Sequence, residues 1–115
     1  VANELGVGFL ESVYEKALLY ALKEKELNAE SQVPVKVGFR GYDVGIFYAD
    51  IMVENCLIIE LKAVKALVPE HNAQVLNYLK ATGIEAGLLV NFGTSKLEYR
   101  RFNNHMSQLP SDVKS

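Results

Sequence analysis

The chain has 115 residues, half of them hydrophobic, with 12 basic against 14 acidic side chains. That is one domain, able to bury roughly two thirds of its unfolded surface around a single core without staples, and no apolar run approaches the ~20 residues that span a bilayer. A net charge of −2 excludes a binder that holds nucleic acid by bulk charge alone, so any nucleic-acid site must be a local patch, for which Lys62, Lys65, Lys96, Arg100 and Arg101 are the available cations.

From Phe9 to Leu27 the apolar residues Leu10, Val13, Tyr14, Ala17, Leu18, Ala21 and Leu22 recur at three and four, which predicts an amphipathic helix packed on a core. Gly6 and Gly8 stand where the helix bends or starts, and Asn28 is the expected left-handed terminator. The chain opens at Val1, without a methionine and in what reads as helical sequence, so residues upstream are expected. Val33, Val35, Val37 and Phe39 then alternate with polar or small residues, as in a strand with one solvated face. A turn between Gly41 and Gly45 leads to a second strand at 46–53, and Glu54-Asn55 makes a two-residue turn into a third at 56–63. The single cysteine, Cys56, excludes an internal disulfide, and its apolar setting predicts a small buried residue.

After Pro69 the run 71–82 has helical periodicity, with Ala73, Val75, Leu76 and Leu79 as its apolar residues and Gly83 as its stop. Residues 87–92 are almost wholly apolar, as an interior strand requires, and 97–102 return as an antiparallel edge strand carrying Arg100 and Arg101. The predicted order is helix, three strands, helix, two strands: a mixed α/β (α+β) domain over residues 1–103 with helices packed on a mixed sheet, followed by a polar tail at 104–115.

Within the third strand, Glu60 and Lys62 are polar residues set into a run that otherwise reads as covered on both faces, and residues two apart project from the same side. Buried charge of this kind costs several kcal/mol unless it is paired, metal-bound or at the lip of a cleft. Pairing outward from the Glu54-Asn55 turn brings Asp50 opposite the stretch from Cys56 to Glu60, so adjacency of Asp50 and Glu60 is the expectation. Two converging carboxylates make a hard oxygen site suited to magnesium or manganese, and Lys62 beside them would orient a water or stabilise charge on a phosphate. The plainer readings are a Lys62 that neutralises Glu60 or Asp50 without chemistry, and a Glu11 favoured by the dipole of its helix. For His71 the plainer reading, a capping residue in the first turn of its helix, is preferred to a metal ligand or base. Tyr14 and Tyr78 read as core or cleft-wall residues.

The spacing Asp50-x9-Glu60-x-Lys62 resembles the signature of the PD-(D/E)xK nuclease superfamily. Gly8-Phe9-Leu10-Glu11-Ser12-Val13-Tyr14 resembles the element for which the GxxExxY proteins are named, and the similarity continues through 59–64, 71–80 and 87–93. This resemblance implies a restriction-endonuclease-like core and a nuclease that uses magnesium or manganese on DNA or RNA. Asp50 and Glu60 would be ligands, Glu11 a further ligand from the first helix, and Lys62 the catalytic lysine. Gln74 and Tyr78, one turn apart on a helix and so on one face, would resemble the Q-x-x-x-Y element of RecB-like exonucleases. Tyr48 stands where the family often has arginine, Ala49 where the signature has proline, and Ala2 where a histidine often precedes Glu4-Leu5-Gly6. The other reading is a catalytically idle module that keeps the nuclease-like sheet and binds nucleic acid or a protein. Nucleic acid, and a homodimer or larger assembly, are the expected partners. The edge strand at 97–102 could pair with a second copy, although its arginines also guard against such pairing, and a cytoplasmic location is expected.

Overall fold

A computed structural model describes Gly6 and residues 8–104. Of the expected tail at 104–115 only Asn104 is described, buried and with its amide donating to the Leu79 and Ile84 carbonyls at 2.8 and 3.0 Å; its remainder and the residues before Gly6 lie outside the described part. The elements are α1 (Glu11–Glu24), β1 (Ala29–Phe39), β2 (Tyr42–Val53), β3 (Leu57–Lys62), α2 (Pro69–Thr82), β4 (Ala86–Asn91) and β5 (Glu98–Asn103). They form the predicted order, a five-stranded mixed sheet β1-β2-β3-β4-β5 flanked by two helices, in agreement with a restriction-endonuclease-like fold. All neighbours are antiparallel except β3 and β4, whose parallel pairing requires the α2 crossover. No described helix is long and apolar enough to cross a membrane.

The alternation of β3 assigns the two helices to opposite faces. Leu57, Ile59 and Leu61 join Tyr14, Leu18, Leu19 and Leu22 of α1, whereas Ile58 joins Val75 and Leu79 of α2. Both turns next to β2 are built from left-handed residue pairs, Arg40-Gly41 and Glu54-Asn55. Such turns match the twist of flanking strands, so each joins its strands tightly.

Several details differ from the expectations. The turn before β2 is Arg40-Gly41, tight enough that β2 opens at Tyr42 and not at residue 46. The first helix ends at Glu24 and the left-handed residue behind it is Glu26 (φ 62°), not Asn28, because β1 begins as early as Ala29 and leaves no room for a later stop. Pro69 opens α2, where its missing N–H costs nothing, two residues before the expected start. Cys56 is exposed, since the turn at Glu54-Asn55 carries it out of the sheet before β3 begins. Phe39 is exposed too, because β1 and β2 run on beyond the helices as a projecting hairpin.

Candidate active site

Beside Asp50 the pairing of β1 with β2 is interrupted. Gln32 of β1 has a left-handed backbone (φ 51°), and the β1–β2 ladder sets Ser31 opposite Ile51 and Val33 opposite Ala49 on either side of the unpaired Gln32–Asp50 position. Residues two apart on a regular strand share a face. Here Ile51 and Val53 pack with α1, while Ala49 and Phe47 pack with α2, so β2 switches faces at Asp50. On its other side the β2–β3 ladder runs from Val53–Leu57 to Ile51–Ile59 and stops.

Where the ladder stops, the two carboxylates take over the backbone donors. Asp50 Oδ2 accepts from the Leu61 N–H at 2.8 Å, and Glu60 Oε1 accepts from the Asp50 N–H at 3.3 Å. Asp50 and Glu60 are therefore adjacent, as expected from the turn, and each keeps one oxygen not engaged by these bonds. Asp50 Oδ1 receives a longer contact from the Gln32 amide at 3.4 Å, and the same amide donates to Glu15 Oε1 on α1 at 2.9 Å.

The electrostatics follow from burial. Glu60 is 4% exposed, and its carboxyl is pushed up to about 8, first by desolvation and then by the negative charge of Asp50. The Asp50 N–H and Lys62 pull the other way without cancelling those effects. Glu15 is also raised, chiefly by desolvation, against the opposing effect of its Gln32 bond. Lys62 follows Glu60 on the same side of β3, half-buried, at the last pair of the β3–β4 ladder.

Gln74 and Tyr78 come together as their helical spacing requires, the Gln74 amide donating to the Tyr78 hydroxyl at 2.8 Å. The Tyr78 ring stacks on Phe47 at 3.8 Å, and its hydroxyl is raised above the usual phenol range by burial first and then by the charge of Glu60. This pair therefore lies within electrostatic reach of the carboxylates, on the α2 side. Glu11 sits at the exposed start of α1, its charge felt by both Glu60 and Glu15. Among the described residues, no three acidic, histidine or cysteine side chains converge closely enough to hold a metal by themselves. The donor set that is assembled, two adjacent carboxylates of which Asp50 Oδ1 carries only the long Gln32 contact, fits a hard cation that keeps several waters and takes its remaining ligands from a phosphate.

Arg100 and Arg101 are divided by the alternation of β5. Arg101 pairs with Leu88 and Arg100 with Leu89, residues on opposite faces, and Arg100 donates to Asn72 Oδ1 of α2 at 3.1 Å. They do not form one patch. His71 is a capping residue, its Nδ1 accepting from the Val68 N–H at 3.1 Å.

Three residues at the site were not picked out from the sequence. Glu15 lies one helical turn from Glu11, a spacing that marks a shared face. Asn91, fully buried at the end of an apolar run, carries the same kind of signal as Glu60. Its amide holds both the N–H and the C=O of Val64 and reaches Glu98 Oε1 at 3.0 Å, fixing the loop that leaves Lys62. Gln32 gives no signal, because its effect depends on an unusual backbone angle.

Gly93 closes the same loop from the other side. A Cβ there would meet the Ala63 carbonyl carbon at 2.7 Å and the Val64 backbone more closely still, and backbone cannot rotate away. Gly93→Ala is therefore expected to destabilise the chain by about 2–3 kcal/mol and to displace the loop after Lys62, read as a lowered midpoint in urea unfolding.

Comparison with known proteins agrees with this architecture. The chain is similar to a solved protein described as "Crystal structure of SSO0001", with a TM-score of 0.61 and 23% identity, over 82% of this chain and 50% of that one. The chain thus spans half the length of that protein, and the likeness speaks to the fold. No curated protein matches. The model of the PD-(D/E)XK nuclease superfamily matches residues 1–102, and the chain belongs to that superfamily.

Proposed function

We propose that this chain is a divalent-metal-dependent nuclease of the GxxExxY kind, hydrolysing phosphodiester bonds of DNA or RNA. The observation that carries the reading is the meeting of Asp50 and Glu60 where β2 and β3 part, with Lys62 on the Glu60 side of β3. Asp50 and Glu60 would hold magnesium or manganese, and Glu11, which the described geometry does not bring into one cluster with them, would add negative charge from α1. When bound, the cation lowers the pKa of a coordinated water and polarises the scissile phosphate.

The chain's own groups supply the rest. Lys62 places an ammonium where negative charge builds on the phosphate, an interaction strengthened by the low water content around a nearly buried Glu60. Gln74, which keeps its amide oxygen while its nitrogen bonds Tyr78, orients substrate beside the carboxylates, and Tyr78 forms the wall of the cleft with Phe47. Arg101 and Arg100, on separate faces of β5, would meet different parts of a nucleic-acid strand.

The test is calorimetric titration with manganese of the wild type, Asp50→Ala and Glu60→Ala, with cleavage of labelled single- and double-stranded DNA and RNA measured on the same samples. Binding and cleavage should both vanish in the two variants, while Lys62→Ala should bind metal yet cut at least about 100-fold more slowly. Binding without cleavage on any substrate would favour the idle-module reading. A folded wild type that takes up no metal at millimolar concentration would end the enzymatic one.

A further inference from the structure

Among the described residues, five other than glycine have a left-handed backbone, and four of them, Glu26, Arg40, Glu54 and Asn55, serve a turn or the exit of a helix. Gln32 is the fifth, and it stands inside β1. Such a conformation strains any residue with a side chain and persists only where the surroundings enforce it. Two features accompany it here. β1 gives up its pairing with β2 opposite Asp50, whose N–H donates to Glu60 Oε1. The exposed Gln32 side chain meanwhile reaches acids on two other elements, donating to Glu15 Oε1 of α1 at 2.9 Å and, at a longer 3.4 Å, to Asp50 Oδ1 of β2.

We infer that Gln32, held by Glu15, is a positioning residue that sets the Asp50 carboxylate to receive the cation, which rests on the reading of Asp50 and Glu60 as a metal site. The Leu61 N–H fixes Asp50 Oδ2, but a single donor leaves the carboxylate free to turn about that bond. A second donor, on Oδ1, fixes its plane. An amide nitrogen carries two hydrogens, so one group can serve both acids, and the shorter bond to Glu15 determines where the second hydrogen points. Charge accounts for an amide at this place. A lysine or arginine between these acids would form an ion pair that the metal must displace, whereas a neutral donor leaves both carboxylates negative. Each carboxylate oxygen accepts more than one bond, so the long Gln32 contact leaves Asp50 Oδ1 open to a cation. Groups that hydrogen-bond a metal ligand in this way orient it, and their loss weakens metal binding. Glu15 acts through Gln32, since no three acidic side chains among the described residues converge closely enough to hold a metal.

Two readouts test this, and one of them needs no metal. Asparagine enters the left-handed region more readily than glutamine but is one methylene shorter, so Gln32→Asn should keep the fold and lose both contacts. In the metal-free protein, NMR-detected hydrogen exchange at the Leu61 N–H should accelerate in Gln32→Asn and in Glu15→Ala, while that at Val90 stays slow. In calorimetric titration both variants should bind manganese roughly 10-fold more weakly than the wild type, and the double variant no more weakly than either. Glu15→Gln keeps an oxygen for the Gln32 amide and should stay within a few-fold of the wild type. Unchanged affinity in Gln32→Asn, or unchanged exchange at Leu61, would overturn the inference and leave the metal site standing. Equal losses in Glu15→Gln and Glu15→Ala would overturn it as well, by making the charge of Glu15 the agent and not its hold on Gln32. A folded wild type that takes up no manganese would end the metal reading and this inference together, a result distinct from the others because in those the wild type binds.

Discussion

Replacing Glu60 with Gln should make the metal-free chain more stable at pH 8 while abolishing uptake of manganese. Glu60 is held protonated to about pH 8 because its carboxyl is nearly buried and lies against Asp50, whereas in the unfolded chain it titrates near 4.5, as an ordinary glutamate does. Between those two values the folded state binds the extra proton. Stability therefore falls as pH rises from about 4.5 toward 8, the reverse of the usual carboxylate. The full penalty is present only above the folded value and amounts to a few kcal/mol at most. Glutamine keeps the size and the oxygen that accepts from the Asp50 N–H, but has no charge to bury. Urea unfolding of the metal-free protein from pH 5 to pH 9 should show a falling midpoint for the wild type and a nearly flat one for Glu60→Gln, with the gap between the curves widening from pH 5 to about pH 8 and constant beyond it. Parallel curves would mean that Glu60 ionises without cost and that the site is wetter than its geometry implies.

The same residue shows why so much of the site was legible. Asp50, Glu60 and Lys62 interrupt otherwise strand-like chain, and strand periodicity with one well-marked turn is sufficient to bring the first two together. Gln74 and Tyr78 followed from helical spacing in the same way. What escaped was whatever depended on where a regular element stops being regular. The left-handed Gln32 makes β1 and β2 change faces, so Ala49 and Ile51, which two-residue periodicity assigns to one side, are buried on opposite sides. Cys56 was misplaced for a related reason. Its apolar neighbours describe the strand that follows it, but the residue itself belongs to the turn and is exposed. Arg100 and Arg101 look like a patch in one dimension, and strand alternation separates them.

Tyr14 offers the strongest test of how the first helix is held against the site. α1 starts without a side-chain cap at Leu10, and the chain entering it is fastened from below by the Tyr14 hydroxyl, which donates to the Gly6 carbonyl at 2.8 Å and accepts from the Phe9 N–H at 3.2 Å. The ring, 1% exposed, stacks on Phe92 at 4.5 Å, and the Phe92 N–H donates to the Lys62 carbonyl at 2.8 Å. One side chain thus connects the turn bearing Glu11 to the end of the strand bearing Glu60 and Lys62. Tyr14→Ala should cost about 3–5 kcal/mol, the range for emptying a buried aromatic site, whereas Tyr14→Phe keeps the stack, loses only the two hydrogen bonds and should cost about 1–2 kcal/mol. Urea unfolding of both variants measures the difference, and hydrogen exchange at Phe9 and Val13 locates it. In Tyr14→Phe, exchange should accelerate at the start of α1 and remain slow in β3. Uniform acceleration across the chain would mean that the hydroxyl supports the whole core and not the entry to the helix.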